Sequence, residues 1–182
     1  MLLIFTRFSI GQADLVQLNK NRVSINQTAM ITLGGWALLN VTGSGILMAH
    51  ESGEKKYFHQ MNMYWNIVNL GIAGLGYFGS HTESDSLSLA EAFRAQVNIE
   101  KILLLNAGLD LTYITTGLFL LEKRNADKRV KGYGRSLILQ GSFLFIFDVA
   151  LYLINNHNYD KYFDILEDLS LSHDGISLRI KF

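Results

Sequence analysis

The chain contains no cysteine among its 182 residues. Disulfides, thiolate metal sites and thiol catalysis are therefore excluded. It also has no excess charge of either sign, since 16 Lys and Arg balance 16 Asp and Glu. Neither a glycine-rich phosphate loop nor the paired-histidine helix of metalloproteases occurs. Charge is almost missing from four stretches, Gln27 to Ala49, Phe58 to Gly79, Ile99 to Leu121 and Gly132 to Ile154. Strict period-2 alternation is absent from all four, which argues against a transmembrane barrel.

What fills those stretches is apolar. The chain is 49% hydrophobic and 12% aromatic, high for a soluble protein. A bilayer core about 30 Å thick needs about 20 helical residues, and every stretch is that long. The expectation is an all-α membrane protein of one domain, with a four-helix transmembrane bundle over residues 27–155 and spans at 27–49, 58–79, 99–121 and 132–154. The lipid bilayer is its first expected partner.

Charge placement supplies an orientation. Lys123, Arg124, Lys128, Arg129, Lys131 and Arg135 cluster between the third and fourth stretches, and Lys55 and Lys56 lie between the first and second. The connection between the second and third carries Glu83, Asp85 and Glu91 against one Arg94. By the positive-inside rule the basic loops are cytoplasmic and both termini extracytoplasmic, in a bacterial inner membrane. Topology accounts for the basic loop without a nucleic-acid partner. At the N-terminus, Leu2 to Phe5 form an apolar run, and Gly11 and Ala13 have the spacing of a cleavage site before Asp14. Residues 1–13 read as a truncated signal peptide lacking its basic region, or as a frayed apolar end, and 14–26 as an extracytoplasmic segment.

Inside this apolar sequence sit two carboxylates, Asp110 and Asp148. An aspartate at mid-span costs roughly 2.5 to 3.5 kcal/mol, so such a group normally faces a protein interior. Amides accompany them. Asn62, Asn66 and Asn69 recur at helical spacing on one face of the second helix, with Trp65 beside them. Asn106, Asp110, Tyr113 and Gly117 make a stripe on the third helix. Asn40, with Trp36, Gly43 and Ser44, lies on the first, and Gln140 and Asp148 lie about a quarter turn apart on the fourth. Lipid cannot satisfy these groups, so they should meet in a polar layer at the midplane.

Such a layer has a bland reading and a sharp one. Interhelical hydrogen bonds can serve only as packing glue, at about 0.6 kcal/mol each, with Gly71, Ala73, Gly74 and Gly76 allowing close approach. The sharp reading makes Asp110, Asp148, Asn40, Asn62, Asn66, Asn69, Asn106 and Gln140 ligand-binding or proton-handling residues. A paired-aspartate protease is disfavoured, because Leu109-Asp110-Leu111 and Phe147-Asp148-Val149 lack a glycine-rich surround. His50 and His59 flank the first basic loop and are weak metal or haem candidates, histidines at membrane ends being more often interfacial. No cofactor is expected.

Two weaker signals remain. Leu38-Leu39-Asn40 and Leu104-Leu105-Asn106 hint at a parallel duplication of a helical hairpin. The tail, residues 156–182, is expected to be extracytoplasmic, with a β-hairpin over 169–182. There Leu169-Ser170-Leu171-Ser172 and Ile176 to Phe182 alternate around Asp174-Gly175.

The combination of Gly34-Gly35-Trp36-Ala37-Leu38-Leu39-Asn40, Tyr57 to Asn62 with Trp65-Asn66, Leu105 to Asp110, and Gln140 to Phe143 with Phe147-Asp148 resembles an uncharacterised family of small four-span bacterial membrane proteins. The resemblance covers roughly Asn26 to Tyr152. It implies a polytopic membrane protein of unknown activity and brings no catalytic residues with it.

Three functions stay open. The first is a structural or accessory membrane protein whose polar layer sets helix register and can bind a small ligand. The second is a proton-coupled transporter or channel subunit using Asp110 and Asp148. The third is an intramembrane enzyme. Four helices are few for a lone transporter, so a homo-oligomer or a membrane-complex partner is expected with the second. Exchange of each aspartate for asparagine discriminates the first two. Glue should tolerate the isosteric amide, whereas proton transfer should stop in a protein that still assembles. Full cellular function in both Asp110→Asn and Asp148→Asn would exclude proton handling.

Overall fold

Four helices account for the whole described structure, a computed structural model that covers the backbone of residues 2–82 and 87–173 and the side chains of 15–82 and 87–157. They are α1 (Leu2–His50), α2 (Gly53–His81), α3 (Leu89–Glu122) and α4 (Lys128–His173). With no proline in the chain, each helix can keep its hydrogen-bond ladder unbroken. All four are longer than the apolar stretches they contain.

The breaks between helices have local causes. Gly53 takes φ +60°, a conformation a side chain disfavours, and this lets α1 reverse into α2 across Glu51 and Ser52. The start of α3 is a capping box. Ser88 Oγ accepts from Glu91 N at 3.4 Å, and Glu91 Oε2 accepts from Ser88 N at 3.0 Å. Between α3 and α4, Asn125 adopts φ 61° and Asp127 Oδ1 caps the new helix by accepting from Val130 N at 2.8 Å. Short connections make α1–α2 and α3–α4 two antiparallel hairpins.

The hairpins diverge on one side. At the end that carries the basic loops, hereafter the basic end, α2 rests on α4, where a methyl group on Gly132 would lie 2.7 Å from Phe58 N. Toward the far end α1 takes over, and Ala29 packs with Leu103 of α3 and Leu151 of α4. Leu18 on Ala92 extends this contact. Helices α2 and α3 nowhere bring described Cα atoms within 8 Å of each other.

Two rows of residues at seven-residue spacing set the α3–α4 contact. On α3 the row is Gln96, Leu103, Asp110 and Gly117; on α4 it is Gly134, Gly141, Asp148 and Asn155, and all eight are buried. A seven-residue repeat keeps one stripe of each helix against its partner. The rows run antiparallel. A methyl group on Gly117 would stand 2.6 Å from the Gly134 carbonyl oxygen, and one on Gly141 would stand 2.9 Å from the Asp110 carbonyl oxygen. At the other end of the seam, Gln96 Nε2 donates to the Asn155 carbonyl oxygen at 2.7 Å. Only glycine permits backbones this close.

The burial pattern is reversed relative to a water-soluble bundle. Asn66, Gln96, Ser136 and Asn155 are fully buried, whereas Leu39, Leu75, Phe78 and Ile146 are at least 68% exposed. Three helices, over Leu15–His50, Leu89–Glu122 and Lys128–His157, are long and apolar enough to cross a membrane. These features fit a membrane protein. The expected fold class of four spans plus a hairpin needs two corrections. Helix α2 falls short of the apolar criterion because Asn62, Asn66 and Asn69 occupy its inner face, although Ile67, Val68, Leu75 and Phe78 point outward. The first strand of the expected hairpin is helix instead. Leu169 to Ser172 continue α4, and no strand occurs among the described residues; residues 174–182 lie outside them. Extending a formed helix adds a hydrogen bond per residue, whereas an isolated hairpin is marginal, and Ile165, Leu166 and Leu169 also have helical spacing.

The seam yields a stability prediction. Gly117→Val should destabilise the protein by about 1 to 3 kcal/mol through overpacking against Gly134 and Ile138. Gly74→Ala, with nothing within 4 Å of the new methyl, should be neutral or stabilising. Thermal unfolding in detergent followed by circular dichroism measures both.

Candidate functional site

The α3–α4 seam explains how two carboxylates come together. Asp110 faces Gly141, so Asp148, one heptad further along α4, faces the level of Leu103. The two Cα atoms are therefore offset along the seam. Helical side chains lean toward their own N-terminus, and in antiparallel helices that makes these two lean toward each other. The small Ala107 leaves room between them. The two carboxyls therefore lean toward one another across the seam, and Asp110, Asp148 and Asn106 all line the same cleft. Asp110 is 3% exposed and Asp148 6%.

Closer to the basic end, a second group of polar residues locks α1, α2 and α4 together. Asn62 is its hub. It donates from Nδ2 to Asn40 Oδ1 at 2.8 Å and to Ser44 Oγ at 2.7 Å, and its Oδ1 accepts from Gln140 Nε2. Gln140 Oε1 in turn accepts from Trp36 Nε1 at 3.1 Å. The Trp36 indole stacks on Phe143 with ring centroids 3.9 Å apart, and His59 Nδ1 lies 3.4 Å from Ser44 Oγ. Asn40 also donates to the Trp36 carbonyl oxygen at 2.8 Å. Donors and acceptors are matched, and the network is closed.

The carboxyl pair belongs to a different environment. Because α2 and α3 stay apart, a cleft of about 720 Å³ opens between them, backed by α1 and α4. Asp110, Asp148, Asn106 and Asn69 line one part of it. Leu33, Ile72, Ile99, Ile102, Leu103 and Phe147 make most of the remaining wall apolar. Trp65 and Tyr113 touch edge to face across the cleft, centroids 4.6 Å apart. They sit about one helical turn from Asn69 and Asp110 and close the cleft toward the basic end. Val68, Ile72 and Ile102 are lining residues that are also more than half exposed, so the mouth faces the apolar exterior. In the polar part of this lining, Asp110 Oδ2 and Asn69 Nδ2 are buried without a hydrogen-bond partner.

The expected polar layer is thus two structures. Asn40, Asn62 and Gln140 belong to the closed network, and Asn69, Asn106, Asp110 and Asp148 to the cleft. Asn66 lies between the two; it donates to the Asn62 carbonyl oxygen at 2.8 Å and leaves Oδ1 without a partner. His50 is exposed, His59 lies against Ser44, and no group of three metal-binding side chains occurs among the described residues.

A third polar cluster escaped the sequence reading. Near the far end Arg22, only 2% exposed, donates to Asn19 Oδ1 at 2.6 Å, and Gln96 bonds both Glu100, at 2.8 Å, and the Asn155 backbone. Gln96 and Asn155 were findable, because they extend the heptad rows through Asp110 and Asp148 by two repeats and one.

Residues 32–149 match the family of unknown function DUF6992. The chain belongs to that family. The DUF6992 region takes in the whole closed network, the carboxyl pair and Asn69, while Arg22 and Asn155 lie outside it. Comparison with curated proteins and with solved structures finds no match.

The two polar groups in the DUF6992 region should respond differently to loss of an amide. Asn62→Leu removes three interhelical hydrogen bonds and should cost about 2 kcal/mol. Asn69→Leu removes an amide whose Nδ2 is unpartnered and should leave thermal stability in detergent nearly unchanged. Equal losses in the two variants would show that the distinction between network and cleft is wrong.

Proposed function

We propose that this protein is an accessory component of a bacterial inner membrane that binds a small, largely apolar ligand in the α2–α3 cleft, with its basic end in the cytoplasm. The observation that carries the proposal is a buried Asp110 oxygen without a hydrogen-bond partner, on a residue of the polar corner of a mostly apolar cleft. Burying a polar atom without a partner costs about 1 to 3 kcal/mol, which a ligand that bonds it would recover. The volume lies within the roughly 300 to 1,000 Å³ of small-molecule sites. The closed network supports the same reading from the other side, because it holds register without using Asp110 or Asp148. Placement of Lys123, Arg124, Lys128, Arg129, Lys131 and Arg135 at one end supports the orientation.

A second reading is favoured by one further observation, the placement of Asp110 and Asp148 on the wall of one cleft, leaning toward one another across the seam. Two carboxyl groups that face each other can share a proton, as paired acids do in enzymes. Proton-coupled movement of the ligand would use that shared proton.

The cleft itself can be tested with an uncharged fluorescent probe such as Nile red and the protein in mild detergent. Ile102→Trp places a large ring at the exposed mouth and should weaken probe binding about tenfold or more. Wild-type affinity in Ile102→Trp, or no saturable binding to the wild type, would count against the cleft as a site.

A further inference from the structure

The charges around the cleft are unevenly placed. Neither Asp110 nor Asp148 has a cationic partner among the described residues; the described ion pairs, Glu51 with Lys55 and Glu54 with Arg135, belong to the basic end. Arg22 lines the cleft at its other end. It lies one heptad before Ala29, which packs at the level of Leu103, so about 20 Å of helix separates Arg22 from Asp110 and about 10 Å separates it from the level of Asp148, whose side chain leans away from it toward Asp110. Helix α2 contributes no charged residue to the lining. An ionised carboxyl in such surroundings is costly unless an opposite charge is brought to it.

The chemistry next to the aspartates also has a bias. Trp65 and Tyr113 stand about one turn from the carboxyls, and Phe147 is next to Asp148 in the chain; all three line the cleft. Aromatic faces attract cations, most strongly where water is excluded. Asp110 and Asp148 both line the cleft, and Asp110 Oδ2 is buried without a hydrogen-bond partner. Between this polar corner and the far end, where Arg22, Asn26 and Ser80 line the cleft, the walls are mostly aliphatic, so a small hydrated metal ion would leave most of the cleft unfilled.

We propose that the ligand of the α2–α3 cleft is a lipophilic monocation, an amine or quaternary ammonium whose charge rests against Asp110 and Asp148 and whose apolar body lies along Ile72, Ile99 and Ile102. The proposal rests on the cleft being a ligand site. It adds that the site selects by charge. The open mouth between α2 and α3 admits such a molecule from the apolar exterior, and the carboxyls supply the counter-ion that the hydrocarbon lacks.

The experiment uses the full chain carrying Trp36→Phe, so that Trp65 is its sole tryptophan, in detergent and two ions of one shape, tetraphenylphosphonium and tetraphenylborate, with Trp65 fluorescence as the readout. The cation should bind about tenfold or more tightly than the anion, and Asp110→Asn or Asp148→Asn should each remove most of that preference. The cation–anion comparison on this parent chain stands even if an aspartate variant fails to fold. Equal binding of the two ions, or full cation preference in both folded variants, would overturn the proposal. Nile red separates the two levels of inference. Saturable dye binding that Ile102→Trp abolishes, without tetraphenylphosphonium binding, leaves the cleft as a site and rejects the cation. Absence of binding by dye and cation alike rejects both.

Discussion

Hydrocarbon offers no hydrogen bonds, so in a membrane the polar side chains of these apolar helices are driven toward the protein interior. That constraint organises the molecule. Asn66, Gln96, Ser136 and Asn155 are fully buried, and large aliphatic and aromatic residues form the outer surface. Helices packed on this principle gain little from burying leucine, since lipid is as apolar as a protein core. Cohesion has to come from close backbone approach and from hydrogen bonds between helices. Both devices are present and occupy different interfaces. Glycine brings α3 and α4 together, while the Asn62 hub joins α1, α2 and α4.

The two devices together determine where the unusual chemistry sits. Gly117, Gly134 and Gly141 draw α3 against α4 in a seven-residue register that includes Asp110 and Asp148. Antiparallel packing then tilts the two carboxyls toward one another. Meanwhile α2 is held to α4 near the basic end by Gly132 and the Asn62 network, and further along it stays with α1. A cleft between α2 and α3 is the geometric result, with the carboxyl pair on its wall. The hydrogen-bond network that joins α1, α2 and α4 is separate from the carboxyl pair, which lies in the α3–α4 seam.

Much of this was legible in the chain. Helical spacing placed Asn62, Asn66 and Asn69 on one face and Asp110 on an inner stripe, and both features are present in the structure. The expected strand at Leu169 to Ser172 is helix because its alternation is too short to outweigh a helix already running from Lys128, and α2 is less apolar than a span because its inner amides lower its hydropathy. Gln96 and Asn155 share heptad rows with the aspartates but lie just outside the apolar stretches, so hydropathy does not single them out.

Taken alone, then, the sequence determined which residues face inward, because periodicity along one helix depends only on that helix and its surroundings. It could not determine which inward residues meet. That depends on distances between helices, and those are decided by contacts such as Gly117 on Gly134 and Asn62 on Gln140 acting at once. A single polar layer and two separate clusters have the same periodic signature. Tertiary packing divided them, pulling three helices into a closed network and leaving the carboxyl pair beside open space.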